Sequence, residues 1–204
     1  MNEPQARASD PATIAFYEAR APHYVLHFGE RHSHRLDAFL DRLPEGAAVL
    51  ELGCGGGRDA ARIKARGFAL DTTDAAPAMV AKANARWGVG ARVMAFHELA
   101  AEAAYAGVWA HASLLHVPRA GLAAILGRIA RALAPGGWFF ASYKLGDGEG
   151  RDALGRLYNF PDEAWLRAQY GAVPGWTIHE AERFEAGGFD GVARDWIALT
   201  VRKA

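Results

Sequence analysis

Apolar positions along the chain change period several times, and each change marks an element. Residues 11–20 (PATIAFYEAR) predict a first helix, and 30–43 a second, in which Leu36, Phe39, Leu40 and Leu43 share one face. Pro44-Glu45-Gly46 ends it. A short apolar run, 47–52, then meets Gly-Cys-Gly-Gly-Gly, and 59–66 suits a helix closed by Gly67. The same alternation continues with a strand over 68–73, a helix over 77–86 and strands over 91–95 and 107–112. A long helix over 119–133 carries Leu122, Ile125, Ile129 and Leu133 on one stripe, and after Pro135-Gly136-Gly137 a strand follows over 138–143. Strands alternating with helices at this spacing imply a parallel sheet covered on both faces. The last third differs: a helix over 161–170 precedes two runs, 176–182 and 193–202, with none between them, so these should pair antiparallel.

Composition narrows the class of protein. The chain has 204 residues, with 23 basic and 23 acidic side chains and no net charge. A partner recognised mainly through charge, such as nucleic acid or an anionic membrane, is therefore not expected. One cysteine, Cys54, excludes an internal disulfide and a cysteine-built zinc site. His23 and His27 are spaced one helical turn apart, with His32 and His34 beyond, but no H-E-x-x-H accompanies them, and no metal is expected. The polar start and the lack of a long apolar run predict a cytoplasmic protein. No repeat or linker interrupts the chain, so residues 1–204 read as a single domain, with the helices of 1–45 covering its site.

The chemistry gathers where the first strands end. Glu51-Leu52-Gly53-Cys54-Gly55-Gly56-Gly57 is a strand running into a glycine loop, which lets backbone approach a ligand closely. Arg58 stands where a dinucleotide fingerprint has its third glycine. The second strand ends at Asp74, 17 residues after Gly57, close to the ~20 expected of a ribose-binding acid. Asp74 equally suits capping of the next helix, and Asp71 is the rival acid in mid-strand.

With Asp74-Ala-Ala-Pro-Ala-Met79, Trp109-Ala-His-Ala-Ser-Leu-Leu-His-Val-Pro118 and Leu133-Ala-Pro-Gly-Gly137 in order behind the loop, the chain resembles a class I S-adenosylmethionine (SAM)-dependent methyltransferase. The resemblance runs from about Val49 through Leu145. It implies a Rossmann-like, doubly wound α/β sheet of seven strands, mostly parallel with a C-terminal antiparallel hairpin. It further implies that Gly53, Cys54, Gly55 and Gly57, preceded by Glu51, line the methionine and ribose of SAM. Asp74 would hold the ribose, Ala75 and Met79 would lie beside adenine, and Phe96 and His97 would flank it. Ala110 and His111 would lie beneath the cofactor, and Leu115 would cover it. Two departures stand out: no acid follows the third strand, and only 98–106 remains for the helix before the fourth.

Methyl transfer requires donor and acceptor held in line rather than a covalent nucleophile on the protein. Tyr17 and Tyr24 from the first helices are expected at the cofactor and acceptor, though both also suit packing. His116, Tyr143 and Lys144 are the catalytic candidates; His116 equally suits ordering its turn, and Lys144 a solvated position. Arg58 and Asp59 either pair locally or face the acceptor. The glycines of 146–150 suit a mobile segment closing over substrate. The expected activity is SAM-dependent methylation of a small molecule. The alternatives are a nicotinamide-dependent oxidoreductase and a SAM-binding protein without transferase activity.

Overall fold

The computed structural model describes residues 8–29 and 32–204. The first seven residues, and Glu30 and Arg31 at the start of the second predicted helix, lie outside the described residues. Helix α1 (Pro11–Phe28) begins where the Asp10 carboxylate accepts the Thr13 amide at 2.9 Å, with Pro11 in its first turn. It outruns its predicted end at residue 20 and passes through Pro22. Packing of Tyr17, Ala21 and Tyr24 against Ala76 and Met79 offsets the missing hydrogen bond. The second predicted helix shrinks to α2 (Leu36–Leu40).

Strand β1 (Ala48–Leu52) leads into α3 (Arg58–Ala65), β2 (Ala69–Asp74), α4 (Pro77–Trp87) and the two-residue β3 (Arg92–Val93). Only a 3-10 turn, Phe96–Glu98, stands before β4 (Tyr105–Ala110), so the helix usual at this point is reduced as expected. A second 3-10 turn, Leu114–His116, precedes α5 (Arg119–Ala132). Strand β5 (Leu133–Lys144) starts earlier than predicted: Pro135-Gly136-Gly137 forms a register shift within it rather than a break before it. The excursion β6 (Gly150–Arg151) and β7 (Leu157–Tyr158), a small ribbon with no signal in the hydrophobic pattern, comes before α6 (Glu163–Gly171). Strands β8 (Trp176–Gly187) and β9 (Ala193–Lys203) complete the chain.

The seven-stranded sheet runs β3-β2-β1-β4-β5-β9-β8. All pairs among the first five are parallel, and β9 is antiparallel to both its neighbours. Alternation along the strands builds a core on each face. Leu50, Val108 and Phe139 pack toward Leu122, Ile125 and Ile129 of α5. Val49, Trp109 and Phe140 pack toward Leu36, Phe39 and Leu40 of α2. Chain order reverses between β1 and β4, and a crevice opens there above the carboxyl ends of the strands.

Ile129 is fully buried between α5 and the sheet. Ile129→Ala should cost about 2–5 kcal/mol, read as a lower urea midpoint with an unchanged slope.

Candidate functional site

Two clefts occupy the crevice, and they meet at the glycine loop. The smaller is lined by Asp74, Ala75, Met79 and Phe96 together with Ser113 and His116. The larger is lined by Glu51, Cys54, Arg58, Asp59, His111, Leu115, Lys144 and Arg156 among a set of aromatic rings. Tyr17, Tyr24, Gly53, Gly55, Ala112 and His116 line both.

The loop is shaped by glycine for two different reasons. Gly53 and Gly55 have φ of +78° and +53°, and a Cβ on Gly53 would lie 2.5 Å from that of Ser113. Gly57 (φ +79°) instead serves packing: a Cβ there would lie 2.8 Å from Ala83 of α4, and it lines neither cleft. Asp74 fixes the loop from the neighbouring strand, its Oδ2 accepting from the Gly55 amide and its Oδ1 from the Ala76 amide, both at 2.9 Å. Burial raises its pKa, while those amides act in the opposite direction. Asp71, the rival acid, is taken by Arg92 and Tyr105 outside the clefts.

Residues 49–137 match the family described as a methyltransferase domain. This match covers 89 of the 204 residues, from β1 into β5. No curated protein matches the sequence. Among solved structures, a SAM-dependent methyltransferase from Methanosarcina mazei is 16% identical with a TM-score of 0.71, covering 80% of this chain and 95% of its own. The 1,6-didemethyltoxoflavin N1-methyltransferase of Burkholderia thailandensis is 24% identical with a TM-score of 0.61, covering 95% and 80%. The magnesium protoporphyrin IX methyltransferase of Synechocystis is 16% identical with a TM-score of 0.72, covering 95% and 98%. These likenesses are of fold.

The lining of the smaller cleft fits the SAM that the resemblance implies. A carboxylate offers about four acceptor positions, so Asp74 retains capacity for hydroxyl groups after its two amide bonds. The buried Ser113 Oγ, which lines the same cleft, has no hydrogen-bond partner among the described residues. Ala75, Met79 and Phe96 supply an apolar wall. His97 does not reach this wall, and Ala110 is buried beneath the clefts without lining them.

Among the catalytic candidates, strand alternation separates Tyr143 from Lys144. Tyr143 is fully buried on the α6 side, its hydroxyl 2.9 Å from that of Tyr170, and it is a core residue. Lys144 lies in the larger cleft, buried rather than solvated, with Nζ 3.4 Å from Asp190 Oδ2 and 4.4 Å from the Tyr158 ring centre. Burial lowers its pKa. His116 is fixed at both nitrogens. Nδ1 lies 2.6 Å from the Leu157 carbonyl and must donate to it, so Nε2, 2.8 Å away, accepts from the Tyr17 hydroxyl. Burial depresses its pKa to about 3, and with its lone pair committed it is not disposed as a general base.

Arg156 and Phe189 of the larger cleft carry no sequence signal, and for Asp59 the sequence allows either local pairing or a place facing the acceptor. Arg156 is buried, held to Asp152 at 2.6 Å, and donates to the Tyr17 hydroxyl at 3.0 Å. Asp59 accepts from the Ser33 amide and from Trp109 Nε1, both at 2.8 Å. Phe189, at the tip between β8 and β9, packs against Tyr24 and His27 with ring centres 5.3 and 5.1 Å apart. The segment 146–150 is no free flap, because Gly146 and Gly148 donate to the carbonyls of Pro161 and Phe160.

Burial, then the adjacent Asp59 carboxylate, pushes Glu51 up to about 8, and Thr72 donates to it at 2.5 Å. A carboxyl raised on folding contributes stability fully present below its unfolded pKa and lost as pH rises through about 8. Glu51→Gln should therefore gain melting temperature relative to wild type between pH 6 and 9, with no matching gain at pH 4. Tyr143→Phe should cost about 1 kcal/mol in urea unfolding and leave SAM affinity unchanged, as a core hydrogen bond would.

Proposed function

We propose that this protein is a SAM-dependent methyltransferase acting on a small molecule, with SAM lying across the glycine loop and the acceptor in the larger, aromatic cleft. The observation that carries the reading is the junction of the two clefts at Gly53 and Gly55. A donor running from one into the other presents its reactive end to whatever the larger cleft holds. Asp74 takes the ribose hydroxyls, Ala75, Met79 and Phe96 contact adenine, and Gly53, Cys54 and Gly55 face the methionine portion. Tyr17 and Tyr24 close over the loop from α1, with Leu115 lining the acceptor side. The cofactor supplies the electrophilic methyl group. The chain supplies alignment and exclusion of water, the two things an in-line displacement demands.

The larger cleft is concave and lined mainly by aromatic rings with a few polar groups, the character of a small-molecule site. The chain's zero net charge speaks against a nucleic-acid acceptor. The Burkholderia neighbour, a methyltransferase with a small acceptor and S-adenosylhomocysteine bound together, supports the same reading.

Calorimetry tests it directly. SAM and S-adenosylhomocysteine should bind and NAD should not, and Asp74→Ala should weaken both on the order of tenfold or more. Asp71→Ala should leave them unaffected. Tighter binding of NAD than of SAM would overturn the reading.

A further inference from the structure

Methylation of an O–H or N–H group leaves a proton to be removed, and two obvious bases in the acceptor cleft are committed elsewhere. His116 has both ring nitrogens engaged, and Lys144 is paired with Asp190. His111 differs. It follows β4 at the carboxyl edge, lines the larger cleft and keeps a quarter of its side chain exposed. Its ring lies parallel to that of Trp109 (19° between planes, centres 5.8 Å apart), and Trp109 stacks in turn on Phe140 at 4.1 Å. The imidazole plane is thus set by the core.

Behind it stands Asp59, whose Oδ2 is 3.8 Å from His111 Nδ1. Asp59 does not wander: the Ser33 amide holds one oxygen and the Trp109 indole the other. The residue that orients the ring therefore also orients the carboxylate. A separation of 3.8 Å is long for a hydrogen bond, but such contacts shorten when a site closes on its ligands. With Nδ1–H directed at Asp59, the Nε2 lone pair is the one left to meet a ligand.

Resting on the methyltransferase reading above, we propose that His111, oriented by Asp59, is the general base for an acceptor that loses a proton at the methylated atom, an O–H or ring N–H on a flat aromatic compound. As the acceptor oxygen or nitrogen forms its bond to the methyl carbon, the carbon–sulfur bond breaks and its electron pair stays on sulfur. The acceptor's proton passes to His111 Nε2 and then to solvent. The products are the methylated acceptor, neutral at that atom, and S-adenosylhomocysteine. The flat shape follows from the walls: Tyr24, Phe28, Tyr158, Phe184, Phe189 and Trp196 offer ring faces. Burial lowers the pKa of His111 and Asp59 opposes that shift, while Arg58, Arg35 and His34 add to it. His111 is thereby held in its neutral, proton-accepting form at neutral pH.

The first test needs no acceptor. Imidazole nitrogen NMR on the full chain saturated with S-adenosylhomocysteine, with the His111 signals assigned by their loss in His111→Gln, should show the Nδ1–H tautomer at pH 7.5. Asp59→Asn, checked for folding by thermal melting, should lower the Nδ1–H fraction. An Nε2–H tautomer in the wild-type protein overturns the proposal whatever Asp59→Asn does.

The second test uses 8-hydroxyquinoline, which has a proton to lose at oxygen, and quinoline, whose ring nitrogen has none, as single-turnover acceptors. His111→Gln should slow transfer to the hydroxyl about 10²-fold or more and leave S-adenosylhomocysteine affinity and transfer to quinoline unchanged. Equal hydroxyl methylation by His111→Gln and wild type overturns the base. Failure of SAM to bind sinks the methyltransferase reading instead, so the two failures are told apart.

Discussion

The buried pair of Arg156 and Asp152 holds the roof of this site on its floor. Their side chains are 2% and 1% exposed, and a charge pair so enclosed survives only when its remaining hydrogen-bonding capacity is used. Here the guanidinium donates twice to Asp152 and once to the Tyr17 hydroxyl, and Tyr17 donates to His116 on the strand side. One chain of hydrogen bonds therefore runs from the β6–β7 ribbon through α1 to the turn after β4. The rings of Phe16, Tyr17, Tyr158 and Phe189 surround the guanidinium at 5.2–5.8 Å and exclude water from it. Without that cation, the Tyr17 hydroxyl would lose the donor that fixes its lone pair, and its bond to His116 would be less firmly directed.

Local chemistry made part of this readable from the sequence. The glycine loop, the acid ending β2 and the antiparallel terminal pair each depend on a few adjacent residues, and all three stand where the pattern put them. What the sequence hid depends on long-range partners. Nothing near Arg156 in the chain announces burial, because the Tyr17 hydroxyl that receives it is 139 residues away. His116 looked available for proton transfer until the Leu157 carbonyl and the Tyr17 hydroxyl met its two nitrogens. Tyr143 and Lys144 look alike as strand-end residues, and only the register of β5 against β9 decides which one faces the cleft.

The boundaries failed for related reasons. Pro22 and Pro135 are strong local breakers, yet α1 continues past one and β5 includes the other. In both cases packing outweighs the loss of a single backbone hydrogen bond. Pinning of the 146–150 segment to Phe160 and Pro161 moved the flexible wall of the site away from where glycine content pointed.

Tyr17 and Tyr24 line both clefts, and they lie on the same helix. The two clefts therefore share one wall. Phe189 ties that wall to the tip between β8 and β9 through its ring contacts with Tyr24 and His27. A substitution that shifts α1 is thus felt in both clefts at once, and the far end of the sheet is coupled to each of them through a single helix.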